Sequence, residues 1–72
     1  MHCGKALMLF RKFKNQTQQD IARKLNATQQ YISELEKKEN INGDKINKIL
    51  GALNSNKDEW ENFKRLFLAS KN

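Results

Sequence analysis

This sequence of 72 residues contains no proline, one cysteine, one histidine and three glycines. With Cys3 alone, no disulfide can close within the chain and no thiolate metal cluster can assemble, so stability has to come from packing. His2 beside Cys3 supplies at most half of a metal site. Both are read as a disordered start, and no metal or other cofactor is expected. There is no second histidine, no nucleophile with a base at useful spacing and no glycine-rich phosphate loop, which argues against an enzyme. No run of about 18 apolar residues could span a bilayer. The apolar block Ala6 to Phe10 is too short for a secretory h-region, so the protein is expected to be soluble and cytoplasmic, with no membrane partner. Chains of this length bury only about 60% of their unfolded surface and cannot be divided into two cores. Residues 1–72 are therefore expected to form one domain without a large cleft.

What is present is positive charge, unevenly placed. The formal net charge is +6. Up to Ser33 the chain carries Lys5, Arg11, Lys12, Lys14, Arg23 and Lys24 against the single acid Asp20, whereas from Glu34 onward bases and acids nearly balance. A basic surface is an argument about partners, nucleic acid or an anionic membrane, and not about fold.

Apolar spacing divides the chain into five helical segments. Ala6, Leu7, Phe10 and Phe13 recur at three- and four-residue steps and predict a helix from Lys5 to Lys14. Met8 and Leu9 lie off that stripe, facing either the last helix or a second subunit. Asn15-Gln16 interrupts the pattern, and Thr17-Gln-Gln-Asp20 has the form of a capping box that opens a second helix. Ile21, Ala22 and Leu25 share its inner side; Gln19, Asp20, Arg23 and Lys24 face away. Asn26-Ala27 ends it, asparagine being one of the few residues that enters the left-handed region cheaply. Thr28 is the expected N-cap of a third helix, Gln29 to about Lys37. There Ile32 and Leu35 point inward with Thr28, while Gln29, Gln30, Ser33, Glu34 and Lys37 share the other face. Asn42 is a candidate cap for a fourth helix ending at Leu53, with Ile46, Ile49, Leu50 and Leu53 as its stripe. Ser55 and Asp58 stand at capping-box spacing before a fifth, about 57–69, with Trp60, Phe63, Leu66 and Phe67 on one side.

With no strand-like alternation and no internal repeat, the fold class is all-α. Each segment is shorter than the roughly 12 to 15 residues an isolated helix needs, so the apolar stripes from Leu7 through Phe67 must pack into a single core.

Two short helices joined by a tight turn, the second presenting small polar side chains outward, form a helix-turn-helix arrangement. Gln18-Gln-Asp-Ile-Ala-Arg-Lys-Leu-Asn-Ala-Thr-Gln-Gln-Tyr-Ile-Ser-Glu-Leu-Glu36 resembles the Cro and C1-type (XRE) family of regulators. Thr28-Gln29-Gln30 is similar to the start of the recognition helix in lambdoid phage repressors. The resemblance extends from about Leu7 to Leu53 and implies a five-helix, lambda-repressor-like DNA-binding domain. It also implies that Gln18 caps the second helix and touches a DNA phosphate, that Thr28, Gln29 and Gln30 begin the base-reading helix, and that Ser33 and Glu34 sit further along the groove. Arg11 and Glu36 match a family ion pair joining the first helix to the end of the third. Asn26, Lys38 and Gly43 stand where the family usually has glycine, glycine and an apolar residue.

The residue chemistry fits that role. A glutamine amide both donates and accepts, so it can bond bidentately to N6 and N7 of adenine in the major groove. Glu34 can accept from a cytosine N4 or repel phosphate. Lys14, Lys37 and Lys38, with Gln18 and the Tyr31 hydroxyl, are the candidate contacts to the DNA backbone, which position the protein without reading sequence. Arg11 with Glu36 is read as structural. Met8, Leu9 and Leu68 add apolar surface in excess of what a monomer covers, which favours a homodimer on palindromic half-sites. The expected function is a sequence-specific regulator of transcription, a repressor acting by occupying an operator. An antitoxin binding both a small protein partner and its own promoter is the first rival, and a helical interaction module without DNA binding the second. RNA binding lacks the stacking aromatics of single-strand readers.

Overall fold

The computed structural model describes residues 2–69, with side chains through Phe67. The described residues form five helices and no strand: α1 Cys3–Phe13, α2 Gln18–Lys24, α3 Gln29–Glu36, α4 Gly43–Ala52 and α5 Lys57–Ala69. α3 packs against α2 and α1, α4 lies against α2, and α5 closes over α1 and α4.

Helix starts follow short-range chemistry. Thr17 and Asp20 form a reciprocal capping box at α2, Thr28 Oγ1 accepts from the Tyr31 amide at α3, and Asn42 Oδ1 accepts from the Lys45 amide at α4. Each satisfies a first-turn N–H that has no partner within the helix. Helix ends follow one rule three times. Asn15, Asn26 and Asn54 have φ of 62°, 55° and 54°, each just past the cap residue of α1, α2 or α4. In each case the asparagine and the residue after it donate back into the last turn: Asn26 to Arg23 O and Ala27 to Ala22 O, Asn15 to Lys12 O and Gln16 to Arg11 O, Asn54 to Gly51 O and Ser55 to Leu50 O. This is the Schellman closure, usually made by glycine, here made by asparagine.

The core gathers Ala6, Leu7 and Phe10 of α1, Ile21 and Ala22 of α2, Ile32 and Leu35 of α3, the Ile46, Ile49, Leu50 and Leu53 stripe, and Trp60. Phe10 sits at its centre, with ring centroids 5.4 Å from Trp60 and 5.0 Å from Phe63. Burying one such side chain contributes about 1.5–3 kcal/mol.

Several expectations are corrected. His2 and Cys3 are not a disordered start: His2 Nδ1 accepts from the Lys5 amide and caps α1, and the Cys3 and Gly4 amides donate to Glu39 O and Lys38 O, both at 2.8 Å. Gly4 is buried where α1 meets the end of α3. Phe13 and Leu66 are 67% and 69% exposed rather than core residues. Successive steps of three fall short of a full turn by about 60° each, so a residue two such steps from Leu7 or Trp60 has rotated away from the core. Asn56, not Ser55, caps α5, accepting from the Glu59 amide; Ser55 Oγ instead donates to Glu59 Oε1 at 2.6 Å. Thr28 is exposed rather than inward. The Leu68 side chain lies outside the described residues.

Candidate nucleic-acid interface

The candidate site is the exposed junction of α2 and α3. α2 is short because Thr17 opens it and Asn26 closes it two turns later, and the Gln29 side chain at the head of α3 comes within 3.5 Å of Gln18 at the start of α2. The Thr17 cap is strong enough to act on its partner. The backbone N–H of Thr17, then its hydroxyl, and then Arg23 hold the Asp20 carboxyl below its ordinary value. Arg23 Nη2 lies 2.8 Å from Asp20 Oδ1 on the outer face.

At the far end of α3 a buried ion pair anchors the motif. Arg11 and Glu36 are 7% and 8% exposed. Arg11 Nε donates to Glu36 Oε2 at 2.7 Å and Nη2 to Oε1 at 3.2 Å, a two-pronged contact that fixes direction as well as distance. The third arm, Nη1, donates to Gln16 O at 2.8 Å. One guanidinium therefore ties α1 to the last turn of α3 and to the segment that leads into α2.

Gln18 does not cap α2; Thr17 does. Gln18 is the first residue of that helix and is half-buried, its Nε2 donating to Glu36 Oε1 at 2.9 Å. Its Oε1 lies 3.5 Å from Gln29 Nε2. Gln29, Gln30 and Glu34 are exposed on α3, Ser33 is half-buried beside them, and Thr28 is exposed at the head of the helix. The Thr28 hydroxyl accepts from the helix amide and keeps its own hydrogen to donate outward.

The basic flank differs from the expected one. Lys14 is drawn to α5, where its Nζ lies 3.1 Å from Glu59 Oε1. Ser55 first, and Lys14 second, hold the Glu59 carboxyl below its ordinary value. Lys37 and Lys38 are exposed just past α3. Tyr31, 37% exposed, shares a shallow depression with Lys45 and Lys48 of α4. Sequence reading missed these two lysines. Their three-residue spacing puts them on one helix face, but which face meets α3 depends on how α4 packs. Lys24 reaches instead to Ala52 O at the end of α4, at 3.0 Å.

Among the described residues no group of acidic, histidine or cysteine side chains could hold a metal ion, and no helix is long and apolar enough to cross a membrane. The arrangement is suited to contact with an extended polar surface: a protruding helix head bearing amides and a hydroxyl, set on a rigid buried clamp, with lysines at its flanks. A family model described as helix-turn-helix matches residues 7–60, three quarters of the chain. No curated protein and no solved structure matches.

Proposed function

The chain belongs to the Cro/C1-type helix-turn-helix family of DNA-binding regulators, and on that premise we propose that it reads a specific sequence in the major groove of duplex DNA with α3 and acts as a repressor by occupying an operator. The observation that carries this reading is the exposure of Gln29 and Gln30 in the first turn of a helix whose other end is clamped by the buried Arg11–Glu36 pair. The major groove admits an α-helix, and the amide of each glutamine matches the paired donor and acceptor of adenine. Thr28, Gln29, Gln30, Ser33 and Glu34 are the proposed base contacts. Glu34 accepts from a cytosine N4 or repels phosphate.

The DNA backbone is met by Gln18, Tyr31, Lys37 and Lys38, to which Lys45 and Lys48 are added by their place beside Tyr31. Lys14 is left out because its ammonium is taken by Glu59. The protein acts as a homodimer, one α3 per half-site of a palindromic operator, as two-fold readers of this kind do. The face of α1 and α5 around Phe13 and Leu66 supports that assembly, since it is an apolar surface that the described residues leave open. Action in the cytoplasm follows from the same reading.

Selection of bound sites from random duplexes tests all of this together. Gln29→Ala is expected to weaken binding to the selected site by about 1–3 kcal/mol and to relax preference at one base position. Log affinity is expected to fall linearly with log salt, by about 0.9 for each phosphate contacted. A response that is flat in salt refutes DNA binding.

A further inference from the structure

We propose that the backbone amides of Cys3 and Gly4 position Lys38 for a DNA phosphate, by holding from outside the loop that follows α3. The inference rests on the reading of Lys38 as a contact to the DNA backbone.

α3 ends unlike its neighbours. α1, α2 and α4 each close on an asparagine at positive φ, namely Asn15, Asn26 and Asn54. No residue just past α3 has positive φ. Lys38 stands where the family usually has glycine, and a side chain at positive φ is strained. A lysine fits that place only when the loop closes without a left-handed residue.

The closure comes from α1. First-turn amides have no partner within their own helix. Here Cys3 N–H donates to Glu39 O and Gly4 N–H to Lys38 O, both at 2.8 Å. Two consecutive peptide groups of the loop are thereby fixed. Gly4 allows the approach, since it is buried against the carbonyls of Glu36 and Lys38 with no room for a methyl group. The Lys5 amide is taken by His2 Nδ1, so the first turn of α1 acts on DNA only through the loop. Lys38 and Glu39 carry opposite charges on adjacent exposed side chains. The orientation of their backbone therefore decides which of the two a phosphate meets. Phosphate contacts carry no base information, so the clip sets affinity and its salt dependence and leaves base preference alone.

Cys3→Pro removes one of the two donors and sets a ring carbon against Glu39 O. Proline is well accommodated as the first residue of a helix, and Cys3 is that residue of α1. Lys38→Gln removes the charge and leaves the clip. The slope of log affinity against log salt should become shallower by about 0.9 in Lys38→Gln, the value for one phosphate. Cys3→Pro is expected to lose about as much, although it removes no charge, and its disadvantage should shrink about threefold between about 50 and about 200 mM salt. Cys3→Pro/Lys38→Gln should have the slope of Cys3→Pro alone, and base preferences should stay as they were. A protein that is only less stable binds less by its folded fraction, which is measured at each salt, and keeps its slope. A folded Cys3→Pro protein with the parent's slope overturns the proposal.

Should Cys3→Pro not fold, hydrogen exchange in the intact protein decides the matter. A contact that favours binding is itself favoured by binding. The Cys3 and Gly4 amides should therefore slow severalfold more on adding operator DNA than the Glu59 amide, which Asn56 holds at the remote start of α5. Lys38→Gln should abolish that excess. Equal slowing at all three amides overturns the proposal. If Lys38→Gln keeps the parent's slope, Lys38 meets no phosphate, and that reading and this inference fail together. If Lys38→Gln loses slope and Cys3→Pro does not, the inference alone falls.

Discussion

Gly4→Ala should destabilise this protein, although the same change in a helix normally does the reverse. Gly4 lies in the first turn of α1, against the end of α3, and its amide donates to Lys38 O at 2.8 Å while Cys3 donates to Glu39 O at 2.8 Å. A methyl group placed on Gly4 would lie 2.6 Å from Lys38 O and equally close to the carbonyl carbon of Glu36, nearly an ångström short of ordinary contact. All of these are backbone atoms, so no rotamer change can relieve the overlap. α1 must move off α3, which weakens two hydrogen bonds of about 1 kcal/mol each and adds the strain of an overpacked interface, which by itself reaches about 1–3 kcal/mol. Set against the gain of about 0.8–1 kcal/mol for alanine over glycine in a helix, the net expectation is a loss of about 2 kcal/mol. At about 4–8 °C per kcal/mol for a domain of this size, the thermal midpoint should fall by roughly 10 °C. Gly51→Ala is the matched control. Gly51 is exposed in α4 with nothing within 4 Å of an added methyl group, and should raise stability by about 0.4–1 kcal/mol. Urea and thermal unfolding followed by circular dichroism give both values, and a Gly4→Ala protein as stable as the parent would refute the close approach of α1 to α3.

Three further outcomes follow from the same contacts. Arg11→Met should cost about 3–5 kcal/mol in urea unfolding, because it leaves the buried Glu36 unpaired, whereas Arg11→Met/Glu36→Leu should recover much of that loss. Asn26→Ala should lower stability by about 1–2 kcal/mol, the strain of a side chain held at positive φ, while Asn26→Gly should be close to neutral. The carboxyls of Asp20 and Glu59 are held below their ordinary values of 3.8 and 4.5. Between the folded and unfolded values the unfolded chain binds more protons, so their contribution is present at neutral pH and is lost as pH falls through that acid range. Ser55→Ala, which removes the largest cause of the Glu59 shift, and Thr17→Ala, which removes the hydroxyl's part of the Asp20 shift while the larger backbone N–H bond stays, should flatten the acid side of a stability–pH curve, the former more than the latter; an unchanged slope would count against both side-chain hydrogen bonds.

The five helices were legible because their limits are local. A hydroxyl or amide accepting from an N–H three residues ahead, as at Thr17, Thr28 and Asn42, needs no information from the rest of the chain. The same holds for the turn at Asn26, where a residue able to adopt positive φ ends one helix and admits the next. The Arg11–Glu36 pair was legible in a different way, through resemblance to the family and not through spacing, since 25 residues separate the partners.

What failed at the sequence level failed for geometric reasons. Phe13 and Leu66 fit an apolar period counted in threes, but two such steps turn a residue about 120° off the face that Leu7 or Trp60 buries, and how wide a face is covered depends on the neighbouring helices. Lys14 reads as a free base beside the motif until α5 places Glu59 against it. Lys45 and Lys48 carry no signal in the sequence and come beside Tyr31 only through the packing of α4. The sequence by itself determined that there are five helices, the starts of α2, α3 and α4 and the turn at Asn26, which helix presents its glutamines and that the chain is basic, because caps, turns and periods act over a few residues. The tertiary structure alone decided which lysines flank α3, that Gly4 must stay without a side chain, and that the buried Glu36 reaches the surface through Gln18, because those are contacts between segments brought together only by packing.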